Sequence, residues 1–219
     1  MSLDVASRFA PADTLAVALL SLDQPQGGDG AHDLSHILRV WQNVQTLRQG
    51  EGGDHRVLVA ATILHDCVNL PKDDPKRSDA SRLSGEKAAR ILAELGWLAK
   101  DIDQVSHAIQ AHSFSAEIVP RTLEAKILQD ADRLDALGHI GIARCFVVTG
   151  QLERAIYDPQ DPAAQARPLD DGTYALDHFY TKLLKLADGF QTPTGQRLAR
   201  ARHAVMETFV AGLLSEVAP

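Results

Sequence analysis

The chain has 219 residues, 45% of them hydrophobic and 23% charged, which suits one globular domain with a substantial core. Its net charge of −7 argues against a nucleic-acid duplex as partner, because such binders present a basic face; a small phosphorylated molecule needs only a few local cations or a metal. No apolar run approaches the ~20 residues that cross a bilayer, and the apolar stretch after Asp13 follows no basic segment, so neither a membrane span nor a signal peptide is expected.

Helical periodicity runs nearly throughout, and no stretch sustains the period-two alternation of strands. Residues 13–22 make a short apolar helix, followed by a glycine-rich loop that ends near Gly30. From Ala31 to Gln49, Leu34, Ile37, Trp41, Val44 and Leu47 recur at helical spacing until Gly50, Gly52 and Gly53 stop the helix. The stretch RVLVAATILHDCV, 56–68, is apolar on nearly every side and predicts a helix buried in the middle of the domain. Residues 69–83 form a polar loop with two prolines, of a size that is often functional. Amphipathic helices are expected over about 84–95, 102–112, 121–137 and 140–149. The polar, proline-bearing 157–172 reads as a lid or a disordered excursion, and two helices, about 174–189 and 194–217, finish the chain. With no linker and no repeat, 1–219 reads as a single all-α domain, its core about 31–146 and its C-terminal helices about 174–217 packed on that core. Cys67 and Cys145, both in apolar segments, are expected to be reduced thiols of a cytoplasmic protein.

Three places carry chemistry. His65 and Asp66 close the most apolar helix, where an uncompensated carboxylate is very costly and an imidazole needs partners; a divalent ion satisfies both, taking nitrogen from one and oxygen from the other. His36 lies near Val40 and Leu47 on the edge of a core-facing stripe. In QDADRLDALG, 129–138, three aspartates crowd a helix that also bears Ile127, Leu128, Leu134 and Leu137, and like charges so close to an apolar surface call for a cation or for Arg133. Asp130, Asp132 and Asp135 all remain candidates on these grounds.

The order His36, His65-Asp66, Asp132, with the strings HDLSHILRV (32–40), AATILHDCVNLP (60–71) and LQDADRLDALGHIGIAR (128–144), resembles the HD-domain superfamily of metal-dependent phosphohydrolases, and in particular its small stand-alone bacterial members. A weaker likeness, LDHFYTKLLKLADGF (176–190) and RLARARHAVMETF (197–209), extends it nearly to the end. The resemblance implies a compact multi-helix HD bundle with a metal site in its helical core and His36, His65, Asp66 and Asp132 as the ligands. Two nitrogens and two carboxylates suit Mn²⁺, the expected ion, and also Mg²⁺, Fe²⁺, Ni²⁺ or Co²⁺. The implied activity is hydrolysis of a phosphoester or phosphoanhydride in a small phosphorylated substrate, expected to be a nucleotide, by metal-activated water; a nucleoside triphosphate pyrophosphohydrolase is one specific form.

Asp66 and His112 are the expected catalytic groups, the first orienting water and the second, as the extra histidine many HD proteins place beside the metal, protonating the leaving oxygen. Lys72 and Arg77, in the loop after His65-Asp66, and Lys182, in HFYTKLLKL, are the expected phosphate contacts. Lys76, Arg82 and Lys185 stand nearby in sequence, Asp33 is placed to cap the helix that bears His36, and His107 is read as structural. Two alternatives remain: a two-metal phosphodiesterase or oxygenase that adds His107 and His112 as ligands, and a non-catalytic nucleotide-binding or interaction domain. Neither membrane nor duplex is an expected partner, and the amphipathic last helix suits a monomer or a homodimer.

Overall fold

Every residue from Val57 to Leu64 is apolar or a threonine, and each is at most 2% exposed, so one short helix can be packed against on all sides. This is α4 (His55–Leu64) in a computed structural model that describes residues 3–22, 34–68, 70, 77–113 and 116–217, with the backbone alone at 3, 4 and 77. The other helices are α1 (Leu3–Ser7), α2 (Asp13–Leu22), α3 (Leu34–Glu51), α5 (Ala80–Glu94), α6 (Ala99–His112), α7 (Leu123–Asp135), α8 (Gly138–Gln151), α9 (Ala175–Thr181) and α10 (Pro193–Val217). A 3-10 turn, Arg77–Asp79, leads into α5, and a 3-10 stretch, Leu183–Gly189, follows α9. Among the described residues there is no strand, only one isolated bridge between Ala155 and Tyr174. No helix among them is long and apolar enough to cross a membrane.

The chain divides into two compact units, 1–132 and 133–219, with the division inside α7. In the first, α2, α3 and α6 flank α4, and α5 pairs with α6. Asp54 starts α4: its side chain accepts from the backbone N–H of Arg56 (2.8 Å) and Val57 (3.0 Å), satisfying two donors that the first helical turn leaves without partners. The preceding Gly52 and Gly53, at φ of +86° and +99°, make the left-handed turn that side chains rarely allow, and a Cβ on Gly53 would stand 3.2 Å from Ile127 and 3.3 Å from Leu58. Gly85 lets α5 approach α6, since a Cβ there would stand 2.7 Å from Gln110 Cγ. Near the N-terminus Phe9 stacks on Trp41 with ring centroids 5.0 Å apart, and the indole N–H donates to the Arg8 carbonyl at 2.7 Å.

The second unit is built on Phe146, Phe179 and Phe209, whose ring centroids lie 5.8–6.1 Å apart, one from each of α8, α9 and α10. The 157–172 stretch, read from sequence as a lid or a disordered excursion, is tied down within this unit. Arg167 forks onto the buried Asp177 carboxylate through both terminal nitrogens, at 2.5 and 2.9 Å, and lies over the Tyr174 ring. Asp158 and Asp161 each accept two backbone N–H groups of the stretch, and Asp171 takes Thr181 and His178.

Several boundaries differ from the sequence reading. Helix α1 has no long apolar pattern to announce it and was not expected. The predicted helix 174–189 breaks at Lys182, where φ −134° and ψ −62° interrupt α9 and the chain tightens into the 3-10 stretch. Helix α5 starts at Ala80, inside the expected loop 69–83, because the Arg77–Asp79 turn leads directly into it. Cys67 and Cys145 form no disulfide and are half-buried, and burial pushes the Cys145 thiol up to about 11.

Candidate metal centre

Helix α4 ends at Leu64, four residues before the end expected from hydropathy. The Thr62 carbonyl accepts His65 Nδ1–H at 2.8 Å, and the Cys67 N–H turns back onto the Leu64 carbonyl at 3.2 Å. The apolar helix therefore delivers His65 fully buried in the C-cap and Asp66 one residue later, one-third exposed, at the first point where a carboxylate can leave the core. The hydrogen bond from Nδ1 sets the tautomer. In the neutral ring it leaves Nε2 as the bare lone pair, the form a metal takes. Burial is the main force lowering the His65 pKa, with His112 and His36 adding to it against Asp66 and Asp132, so the ring stays neutral near pH 7.

Helix α3 brings His36, 1% exposed, against it: the two Nε2 atoms are 3.1 Å apart. Asp66 Oδ2 lies 3.6 Å from His65 Nε2 and 3.9 Å from His36 Nε2. From α7, Asp132 Oδ1 comes within 3.5 Å of His36 Nε2. Ligand atoms of His36, His65 and Asp66 all lie within 4.8 Å of one another. Neighbouring ligands on an octahedral ion with ~2.1 Å bonds stand ~3.0 Å apart, which is the spacing of the two imidazole nitrogens, so these residues fit a divalent ion. Imidazole nitrogens and carboxylate oxygens together select no single ion.

Helix α6 supplies His112, 5% exposed at the last helical position. Its Nδ1–H donates to the Ile109 carbonyl at 2.6 Å, and its Nε2 faces Asp66 Oδ1 at 3.5 Å. Burial alone would push this imidazole down; the hydrogen bond and charge of Asp66, helped by the charge of Asp132, outweigh burial and raise it to about 9. Asp66 thus turns one oxygen toward His36 and His65 and the other toward a protonated His112. The Ala111 carbonyl beside His112 accepts from the buried Gln129 of α7 at 2.6 Å.

The structure separates the three aspartates of α7. Asp132 is the one that reaches His36; Asp130 is wholly buried; Asp135 pairs Arg144 at 2.7 Å, a partner the sequence reading did not name. Arg133, the expected counter-charge, donates to the Gly189 carbonyl at 2.6 Å. His107 Nε2 accepts the Arg121 N–H at 2.9 Å, a structural use of that nitrogen. Of the expected phosphate contacts, Lys72 falls outside the described residues, as do Lys76 and Asp33, and of Arg77 only the backbone is described. Arg82 is held by Glu86 at 2.6 Å and Asp79 at 3.6 Å on the surface. In the second unit Lys182 stands exposed at the C-cap of α9 and Lys185 is exposed in the following 3-10 stretch. Asn43 and Gln129, buried polar residues on helices that carry site residues, were missed by the sequence reading; an amide on an otherwise apolar stripe was the available signal.

Comparison with known proteins bears on what this cluster is. The model of the HD domain matches residues 33–137, the span that contains His36, His65, Asp66, His112 and Asp132. YpgQ of Bacillus subtilis is 33% identical over 190 residues, covering 85% of this chain and 84% of its own. The crystal structure of YpgQ in complex with ADP superposes with a TM-score of 0.72 at 29% identity, covering 98% of this chain and 97% of that one. An HD-superfamily hydrolase from Bacillus thuringiensis gives a TM-score of 0.68 at 32% identity over 97% of this chain and 96% of its own. Helices, cluster and near full-length similarity agree: the chain belongs to the HD-domain superfamily, among the small bacterial HD proteins like YpgQ.

Proposed function

We propose that the protein is a metal-dependent phosphohydrolase acting on nucleotides, with His36, His65, Asp66 and Asp132 holding one divalent ion. The observation that carries this reading is the pair of buried Nε2 atoms 3.1 Å apart, with His65 fixed in the ligating tautomer and two carboxylates alongside. The Nδ1 bond leaves His65 Nε2 as an acceptor, and a divalent ion would take that lone pair together with the Nε2 of His36. The nucleotide part rests on a relative: YpgQ was crystallised with ADP.

When bound, the ion lowers the pKa of water and polarises a phosphoryl oxygen. Asp66 Oδ2, on the side of His36 and His65, would orient the attacking water, and Asp132 would share that task from α7. His112 carries a proton at Nε2, held toward Asp66 Oδ1, and delivers it to the leaving oxygen. Lys72 and Arg77, which follow Asp66 in the chain, are assigned to the substrate's phosphates on charge and chain position alone.

The test is a screen of purified protein against nucleoside triphosphates, diphosphates and phosphomonoesters with Mn²⁺, Mg²⁺, Ni²⁺ and Co²⁺ in turn. Pyrophosphate release from a triphosphate identifies a pyrophosphohydrolase; phosphate release identifies a phosphatase. Nucleotide binding without metal, and no product with any ion, refutes the enzymatic reading.

A further inference from the structure

The two carboxylates of the proposed site sit in different settings, yet each adjoins a backbone group gripped from another helix. Asp132 follows Ala131, whose carbonyl accepts from Asn43 Nδ2 at 2.9 Å. Asn43 is 6% exposed and stands seven residues, about two turns, after His36, so one face of α3 presents both a histidine of the site and the amide that holds α7 beside its aspartate. Asp66 precedes Cys67 and Val68, which lie outside any helix, with the Cys67 N–H turned back onto the Leu64 carbonyl at 3.2 Å. Helix α5 grips the same two residues. Ser84 Oγ, in a residue with no exposure, accepts the Val68 N–H at 3.0 Å and lies 3.4 Å from the Val68 carbonyl. Lys87 Nζ, one turn further, donates to the Cys67 carbonyl at 2.8 Å.

Resting on the metal-site reading above, we infer that Asn43 and Ser84, the latter assisted by Lys87, are positioning residues that set the two metal-binding carboxylates by holding the backbone next to Asp132 and Asp66. A carboxylate ligand displaced by a few tenths of an ångström no longer meets a metal whose bond lengths are fixed, so a loss at either grip is read in metal affinity. A buried hydrogen bond elsewhere contributes only to stability. Neither residue is one of the four proposed ligands; each acts through the backbone it holds.

The experiment titrates the full-length protein, purified metal-free, with Mn²⁺ by calorimetry well below its unfolding temperature. The Co²⁺ absorption spectrum serves as a second readout of ligand geometry. Asn43→Leu and Ser84→Ala are each expected to weaken Mn²⁺ about tenfold and to shift the Co²⁺ bands. Trp41→Phe, which removes the half-buried bond to the Arg8 carbonyl, is expected to lower the unfolding temperature and leave Mn²⁺ affinity within about twofold. Should Asn43→Leu fail to fold, Ser84→Ala and Lys87→Met carry the test at the Asp66 grip. Mn²⁺ affinity within about twofold of the wild type in the folded variants, whatever their unfolding temperatures, overturns the inference while the metal site stands. A wild-type chain that binds no divalent ion overturns the metal-site reading itself, and the inference with it.

Discussion

Replacing Asp66 with asparagine keeps the shape of the side chain and removes its charge, which separates the carboxylate's role toward His112 from simple packing. In the metal-free chain His112 lies buried with its Nε2 3.5 Å from Asp66 Oδ1, and its pKa stands at about 9 instead of 6.5. That displacement corresponds to as much as ~3 kcal/mol of coupling, less what solvent around the one-third-exposed Asp66 screens away. The folded-state pKa is raised, so the stabilisation is complete below about pH 6.5 and fades as pH rises through about 9. Asp66→Asn removes its main source and leaves burial opposed by the charge of Asp132 and the bond to the Ile109 carbonyl. Thermal unfolding in the presence of a chelator, from about pH 6 to about pH 10, should therefore show wild type more stable than Asp66→Asn at the acid end, with the gap closing toward the alkaline end. Proton NMR should place the His112 ring near 9 in wild type and lower in the variant. A gap that does not change with pH, or a His112 that titrates at its ordinary value in the wild type, would refute the reasoning.

Two further predictions concern the supports. Asp54→Ala removes the acceptor of the Arg56 and Val57 N–H groups at the start of α4, and should cost about 1 kcal/mol, seen as an unfolding temperature lower by roughly 2–4 °C. In 157–172, backbone N–H groups hold Asp158 and Asp161 below the usual carboxylate range, and bonds from His178 and Thr181 do the same for Asp171. Depressed values stabilise above about pH 4 and the effect is lost as pH falls further, so hydrogen-exchange protection of the Gln160, Asp161, Gln165 and Ala166 amides should drop below about pH 4. Protection that persists to about pH 2 contradicts the carboxylate-bonded loop.

What the sequence made legible follows from where side-chain chemistry and periodicity coincide. The buried helix α4 is apolar on all faces, and no other element could absorb it, so its place and the burial of His65 could be read directly. Helix α3 was legible in the same way, and its wheel puts His36 at the core edge, where the structure has it 1% exposed. Among Asp130, Asp132 and Asp135 periodicity gave no choice, because the deciding facts are tertiary: a histidine from α3 near one and Arg144 beside another. Nor could hydropathy show that the helix stops at Leu64, since the apolar pattern runs on to Val68 while the chain turns there, with the Cys67 N–H back on the Leu64 carbonyl. Polar composition suggested a lid or disorder over 157–172, and the order found there comes from Arg167 reaching a buried aspartate ten residues on. Asn43 and Ser84 are silent in the sequence for a related reason. Their partners are main-chain groups, which carry no residue signature.

The central claim is that one divalent ion is held by His36, His65, Asp66 and Asp132. The most direct measurement is the metal content of protein loaded with Mn²⁺ and freed of excess, for wild type and for Asp66→Ala, Asp132→Ala and His112→Ala, with circular dichroism to show that each retains its helices. The account predicts about one equivalent per chain in wild type and in His112→Ala, and none in the two aspartate variants. Full occupancy in Asp66→Ala or Asp132→Ala, or two equivalents lost together in His112→Ala, would contradict it.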